Sequence, residues 1–278
     1  MENYLQKTIL LVEDDAIIGM VTKENLEKLK YDVIVAGSGE KAVATVKENS
    51  SIDVILMDID LGTGLNGIQT AELVFAEREI PVVFVSSHNE REVISMTEKI
   101  TSYGYIVKSS SYIVYDTSIK MALRLFNEKT KAQEVNAILN YSLDQVNEAI
   151  FISNMKGDVI YCNDKFARIM RKVSKKECLK NIADYTVSID IFNSKGKFLQ
   201  TDQWVSSRGL RGERGDDEIY YISSKSADSI VAKSFSYSPI KDREGEVVGS
   251  FVSIDNKPPV AEKGIVDIIK EFKAANYS

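Results

Sequence analysis

The chain has 278 residues, 44% of them hydrophobic and 27% charged, a composition that supports about two folded domains and excludes a disordered or collagen-like chain. A net charge of -6 offers no basic footprint for nucleic acid or an anionic lipid surface, so neither is expected as a partner. The opening "MENYLQKTIL" lacks the basic and apolar regions of a signal peptide, and no apolar run reaches the roughly 18 residues of a membrane span, so a cytoplasmic location is expected. The two cysteines, Cys162 and Cys178, are too far apart for a CxxC motif and are expected to be structural thiols.

Through the first 110 residues, short apolar runs alternate with stretches of helical period. "TILLVE", "DVIVAG", "DVILMD", "PVVFVSS" and "YGYIVK" are apolar at consecutive positions, as strands covered on both faces must be. The intervening segments include "DAIIGMVTKENLEKLK", where Ile18, Val21, Leu26 and Leu29 recur at roughly helical spacing, and "NGIQTAELVFAER". Five such units imply an α/β fold: a doubly wound, five-stranded parallel sheet with right-handed crossovers.

Ligands of such sheets bind outside the carboxyl ends of the strands. The residues there are Glu13 and Asp14, then Asp58, then Ser86, then Lys108. Carboxylates gathered in one crevice repel one another, and a hard divalent cation with oxygen ligands, Mg²⁺, is the expected compensation. With Lys108 and the metal to neutralise phosphoryl oxygens and Ser86 to donate a hydrogen bond, Asp58 could attack a phosphoryl group and form an aspartyl phosphate. Asp15 is expected to cap the first helix or face solvent. His88, the one histidine, is expected to be solvated.

"ILLVEDD", "ILMDIDL", "VVFVSS" and "GYIVK", in this order and spacing, resemble the receiver domain of two-component response regulators over about residues 7–126. The resemblance implies a flavodoxin-like fold in which Glu13, Asp14 and Asp58 hold Mg²⁺, helped by the backbone carbonyl of Asp60. It makes Asp58 the phospho-acceptor, Ser86 and Tyr105 the switch pair, and Lys108 the lysine that meets the phosphoryl group. Its implied partner is a cognate histidine kinase or phosphotransfer protein. The family usually has Pro after that lysine, through a cis bond; this chain has Ser109, for which a trans bond or a reshaped loop is expected.

Residues 112–147 run helical without Gly or Pro, with Ile119, Leu123, Phe126, Val135, Ile138, Leu139, Leu143 and Val146 as apolar positions. Those beyond Asn127 have no evident cover and could pair two copies of the chain as a homodimer, or fold back on the next domain. "AIFISNMKGDVIYCNDKFARIM" then reads as strand, turn at Lys156 and Gly157, strand, and a helix opened by Asn163 or Asp164. "DEIYYISS", "SIVAKSFSYSP" and "EVVGSFVSID" are three further strands, the last two joined by the turn "KDREGE". The "GDVIYCNDKF" stretch and this element order resemble a PAS domain over about residues 149–255, an α+β fold with an antiparallel sheet around a small pocket.

The expected organisation is a receiver at 1–126, a helical linker at 127–148, a PAS domain at 149–255 and a tail at 256–278. The PAS ligand is unknown. The region has no histidine for haem, and Cys178 in "CLKNIADY" is displaced from the position of a flavin-adduct cysteine. Trp204, Tyr220, Tyr221 and Tyr237 could line a pocket or fill the core. "RGLRGERGDD" reads as a solvated turn, with an anion site as the alternative.

The leading function is a response regulator that accepts a phosphoryl group and passes the change to the PAS domain. The expected chain is no enzyme beyond its own phosphorylation and dephosphorylation, and its expected output is protein contact. A second reading makes it the receiver and PAS portion of a larger sensor histidine kinase, which would need a phospho-accepting histidine and a Gly-rich ATP domain absent from this sequence. A third is a haloacid-dehalogenase-type phosphatase, but Gly62 stands where that family has Thr or Val, and Glu13 and Asp14 precede the nucleophile instead of following it.

Overall fold

The structure, a computed structural model, describes residues 7–87, 102–227, 229–255 and 261–277. His88, the first six residues and positions 256–260 of the expected tail lie outside the described residues. The chain divides into two units, Met1–Val135 and Asn136–Ser278, and the division falls inside the stretch expected as a linker.

In the first unit, strands β1 (Thr8–Val12), β2 (Asp32–Ala36), β3 (Ile52–Asp58), β4 (Val82–Ser86) and β5 (Gly104–Val107) form one sheet in the order β2-β1-β3-β4-β5. All four pairings are parallel. Burial on both faces explains the continuous apolar runs: β3 is buried from Val54 to Asp58, and all of β4 is buried. Helices α1 (Ala16–Lys28), α2 (Gly39–Glu48) and α3 (Gly67–Glu77) make the crossovers. The chain turns outward from β1 to β2 and then crosses to β3, so the switch in strand order lies between β1 and β3. Their carboxyl ends frame the crevice that this topology makes available to a ligand.

Asp15 caps α1, accepting hydrogen bonds from the N–H groups of Ile17 and Ile18. Of Ile18, Val21, Leu26 and Leu29, only Leu26 is buried; the stripe that meets the sheet is Gly19, Thr22 and Leu26. Its spacing is equally helical, but its members are small. A Cβ on Gly19 would lie in ordinary contact with Val35, at 3.6 Å, and with the Glu13 side chain, at 3.7 Å, so this face of the helix is packed against the sheet. Ile17, Ile18, Met20 and Val21 are left on the surface.

Helix α4 (Tyr112–Gln145) begins with Tyr115, Ile119, Ala122 and Leu123 buried against the first sheet. Farther along, Val135, Ile138 and Leu139 are more than half exposed, and Leu143 is half-buried. In the second unit its last turns are tied down by Asn163. That fully buried side chain donates to the carbonyls of Leu143 and Glu148 and accepts from the N–H groups of Ile150 and Phe166. One amide thus stops α4, starts the next strand and caps helix α5 (Asp164–Ile169). Lys175 adds bonds of 2.6 and 2.7 Å to the two Asp144 oxygens.

The second sheet is antiparallel, with the order β7-β6-β11-β10-β9-β8. Strands β6 (Ala149–Asn154), β7 (Val159–Cys162), β9 (Gly215–Ser224), β10 (Ile230–Lys241) and β11 (Val247–Ile254) stand where expected; the edge strand β8 (Ile189–Asn193) was not foreseen. Its inner face packs on short helices, including α6 (Val205–Leu210), and encloses an apolar cavity of about 50 Å³ lined by Phe166, Tyr185, Trp204 and Phe235 among others. Ligand sites for drug-sized molecules are usually about 300–1,000 Å³. Trp204 lines this cavity, while Tyr220 and Tyr237 are core residues nearby and Tyr221 lies on the opposite face of the sheet. Cys162 and Cys178 are free and buried, and burial pushes the Cys162 thiol up to about 12, which suits packing and not reactivity.

Residues 263–277 of the expected tail form helix α7 (Lys263–Tyr277), whose Ile265, Ile269 and Phe272 recur at i, i+4 and i+7. Ile269 is fully buried, and Phe272 stacks on Phe198 at 5.1 Å and meets Phe192 edge-on at 5.2 Å, covering the outer face of β8 and β9. The stretch "RGLRGERGDD" is a solvated turn only in its middle, where Arg211, Gly212 and Arg214 are exposed: it begins in α6 and continues into β9, and Arg208 is paired with Glu213 and Glu218.

Candidate functional site

Because all strands of the first sheet are parallel, their carboxyl ends open on one edge, and the polar residues that end them meet there. Glu13 follows β1 and is 5% exposed; Asp58 ends β3 and is 1% exposed; Ser86 ends β4 and is equally buried. Asp14 is exposed beside them. Glu13, Asp14 and Asp58 each bring a carboxylate oxygen to within 4.8 Å of the others. Lys108, just past β5, is held by its N–H on the Ser86 carbonyl at 2.8 Å and extends its ammonium to Asp58 Oδ2 at 2.6 Å and Glu13 Oε2 at 2.8 Å.

Among the described residues, three carboxylates therefore face one ammonium. Burial raises the pKa of Glu13, opposed by its hydrogen bond to Lys108. Burial also works against the Lys108 charge, but hydrogen bonds to Asp58 and Glu13 outweigh it and hold the lysine protonated above its ordinary range. The donors are hard oxygens gathered at one point with room around them, which fits a divalent cation such as Mg²⁺.

Two glycines shape this room, and neither was singled out for it from the sequence. Gly62 turns at a φ of +64°, and a Cβ there would sit 2.8 Å from Asp14 Oδ2. Gly67, the first residue of α3, leaves no space at all: a Cβ would fall 2.0 Å from the Asp58 carbonyl oxygen. The signal was the run "LGTGLNG", directly after the buried strand. Asp60 donates its N–H to Asp58 Oδ1 at 3.2 Å, which orients the carboxylate. Tyr105 is half-buried on β5 against the core that contains Phe84. No peptide bond among the described residues is cis, so Ser109 follows Lys108 through a trans bond.

Beside the carboxylates lies a groove of about 200 Å³, bounded by Glu13, Lys108 and Tyr112 on one side and by Ile17, Ile18 and Val21 of α1 on the other. The exposed apolar residues of α1 thus border the polar site.

Residues 9–114 match the family model for the response regulator receiver domain. The chain is 29% identical over 131 residues to the uncharacterized transcriptional regulatory protein YrkP of Bacillus subtilis, spanning 45% of this chain and 54% of that protein. It is 27% identical over 139 residues to the transcriptional regulatory protein PdtaR of Mycobacterium tuberculosis, spanning 50% of this chain and 67% of that one. The chain thus spans between about half and two thirds of the length of these relatives. Among solved structures, the N-terminal domain of a response regulator/sensory box/GGDEF 3-domain protein from Carboxydothermus hydrogenoformans is 40% identical and aligns with 45% of this chain and 99% of its own, with a TM-score of 0.42. Among the described residues, no helix is long and apolar enough to cross a membrane. Residues 9–114 of this chain are a response regulator receiver domain.

Proposed function

We propose that the chain is a cytoplasmic response regulator of a two-component phosphorelay in which Asp58 accepts the phosphoryl group. The observation that carries this reading is the unequal cluster itself, three carboxylates against Lys108 at the mouth of the sheet. Glu13, Asp14 and Asp58, with the Asp60 carbonyl, would hold Mg²⁺, which when bound supplies charge neutralisation for phosphoryl oxygens. Asp58 Oδ attacks phosphorus as the donor's bond to phosphorus breaks, giving an aspartyl phosphate and the free donor. Lys108 then exchanges its carboxylate partner for a phosphoryl oxygen, and Ser86 donates a hydrogen bond to another. Movement of Ser86 and Tyr105 toward the new group carries the change to the surface of β4 and β5.

The test is intact-protein mass spectrometry after incubation with acetyl phosphate and Mg²⁺. One phosphoryl group is expected on the parent and none on Asp58→Asn; equal labelling of the variant would remove Asp58 from this role. The phosphodonor protein is expected to dock on the α1 residues beside the site, because they are apolar, exposed and continuous with it.

The second unit is read as a PAS domain at about 149–255, on the strength of its antiparallel sheet and of the Asn163 cap inside "GDVIYCNDKF". Helix α4 would carry the signal to it. Val135, Ile138 and Leu139 lie exposed on that helix and would pair with the same helix of a second copy, so that phosphorylation alters a symmetric dimer. Light scattering decides this: the parent is expected to gain mass toward a dimer, and Ile138→Glu with Leu139→Glu to remain monomeric. A monomeric parent with and without the phosphoryl group leaves α4 as a tether.

A further inference from the structure

The second unit carries a polar cleft of about 510 Å³, separate from its apolar interior and within the size range of small-molecule sites. It opens between α6, the start of β9 and the turn after β8. At its base lies Arg208, held unusually firmly. Its Nε donates to Glu213 at 2.8 Å, its Nη1 donates to Glu218 at 2.7 Å and contacts the Tyr220 hydroxyl at 2.9 Å, and its Cζ sits 4.8 Å over the Tyr237 ring. Glu218 is fixed in turn by the hydroxyls of Tyr220 and Tyr237.

These partners use Nε and Nη1 and leave Nη2 without a hydrogen bond among the described residues. Two other lining side chains show the same imbalance. The Asn193 Oδ1 accepts from the N–H groups of Lys195 and Lys197, and the Gln203 Oε1 accepts from the Gln200 N–H, whereas the NH₂ group of each has no partner among the described residues. The lining also holds Arg211, so its charged residues are two arginines against Glu218. What this wall has to offer is donors. Leu199 and Ile219 complete it with aliphatic surface.

From this we propose that the cleft binds a small organic carboxylate, its oxygens taken by Arg208, Asn193 and Gln203 and its carbon skeleton by Leu199 and Ile219. A guanidinium that its neighbours have already oriented loses little freedom on meeting one carboxylate oxygen at Nη2, and the amide NH₂ groups can take the other oxygen. Because the surrounding acids nearly balance the arginines, recognition rests on hydrogen-bond geometry more than on net charge. Simple anions are therefore poor competitors.

Calorimetric titration of the full chain with succinate, citrate and glutamate, with inorganic phosphate and chloride as controls, tests the assignment. Trp204, the sole tryptophan, gives a second readout, since its indole N–H is bonded to the carbonyl of the lining residue Leu199 at 3.2 Å. At least one carboxylate is expected to bind saturably at millimolar concentration or below, and Gln203→Leu and Arg208→Lys are each expected to weaken it about tenfold or more. Gln203→Leu leaves the Arg208 network untouched, so it stays informative if the arginine variant unfolds. Absence of binding by all three carboxylates, phosphate binding as tightly as they do, or undiminished affinity in folded Gln203→Leu would each overturn the proposal.

Discussion

Each unit of this chain holds a concentrated cluster of charge, and the two clusters are built on opposite terms. In the receiver, Glu13, Asp14 and Asp58 face Lys108 among the described residues. In the second unit, Glu213 and Glu218 face Arg208 and Arg211, two against two, and tyrosine hydroxyls take up remaining oxygens of Glu218. Buried charge that is matched within the chain is a structural device; buried charge left in excess requires something from outside the chain. On these terms the receiver cluster suits a divalent cation, whereas the Arg208 network presents spare donors.

The comparison is tested most severely by removing the cation from each cluster. Lys108→Ala leaves Glu13 and Asp58, both almost fully buried, without their ammonium partner, and should destabilise the receiver by about 3 kcal/mol in chelator. Mg²⁺ should restore most of that loss, because the variant keeps all three carboxylates and its metal affinity does not depend on the lysine. The phosphorylation-induced change, in contrast, should be lost. Hydrogen exchange over residues 7–87, with and without Mg²⁺ and acetyl phosphate, reads all three. Failure of Mg²⁺ to protect the variant would mean that the lysine itself organises the metal site.

Arg208→Met is the counterpart. It strands Glu213 and Glu218, but both acids are partly exposed, so about 2 kcal/mol is expected, measured by urea unfolding with Trp204 fluorescence. Mg²⁺ should not rescue it, since the tyrosines and arginines around Glu218 leave no second carboxylate set. Rescue by Mg²⁺ would make the two clusters alike and remove the distinction.

How far each cluster could be read from the sequence follows from the same contrast. The receiver cluster is assembled from single residues at the ends of apolar strands, and parallel topology alone brings Glu13, Asp58, Ser86 and Lys108 together; a period-two or continuous apolar run locates each of them. The Arg208 cluster depends on a short helix, a tight turn and the first residues of β9, none with a strong period, so "RGLRGERGDD" looked like solvent-exposed sequence. Strand β8 was missed for a similar reason: "IDIFN" is only five residues long, and Phe192 on its outer face owes its burial to α7, which lies some seventy positions later in the chain. On α1, helical spacing of the large apolar residues identifies the helix but not its buried face: the sheet accepts Gly19, Thr22 and Leu26, and Ile17, Ile18 and Val21 border the site.

The smallest expected effect concerns acid. Burial pushes the Glu218 carboxyl up, but hydrogen bonds from Tyr220 and Arg208 outweigh it and hold its pKa below the ordinary value. A carboxyl with a depressed folded pKa binds its proton more weakly folded than unfolded, so its contribution is complete above the unfolded pKa of about 4.3 and disappears as the pH falls through the folded one. Glu213 is depressed as well, through Arg208, but it is too exposed for much of that interaction to survive solvent screening. The second unit should therefore lose about 1 kcal/mol or less of stability between about pH 6 and pH 3.5 on account of Glu218. Glu218→Gln should be less stable than the parent at pH 6 and should show a shallower decline, because it has no proton to take up. Tyr220→Phe, which removes one donor and keeps the carboxylate, should fall between them. Urea midpoints followed by Trp204 fluorescence at several pH values give the three slopes, and identical slopes for parent and Glu218→Gln would show that acid acts on this unit through other carboxylates.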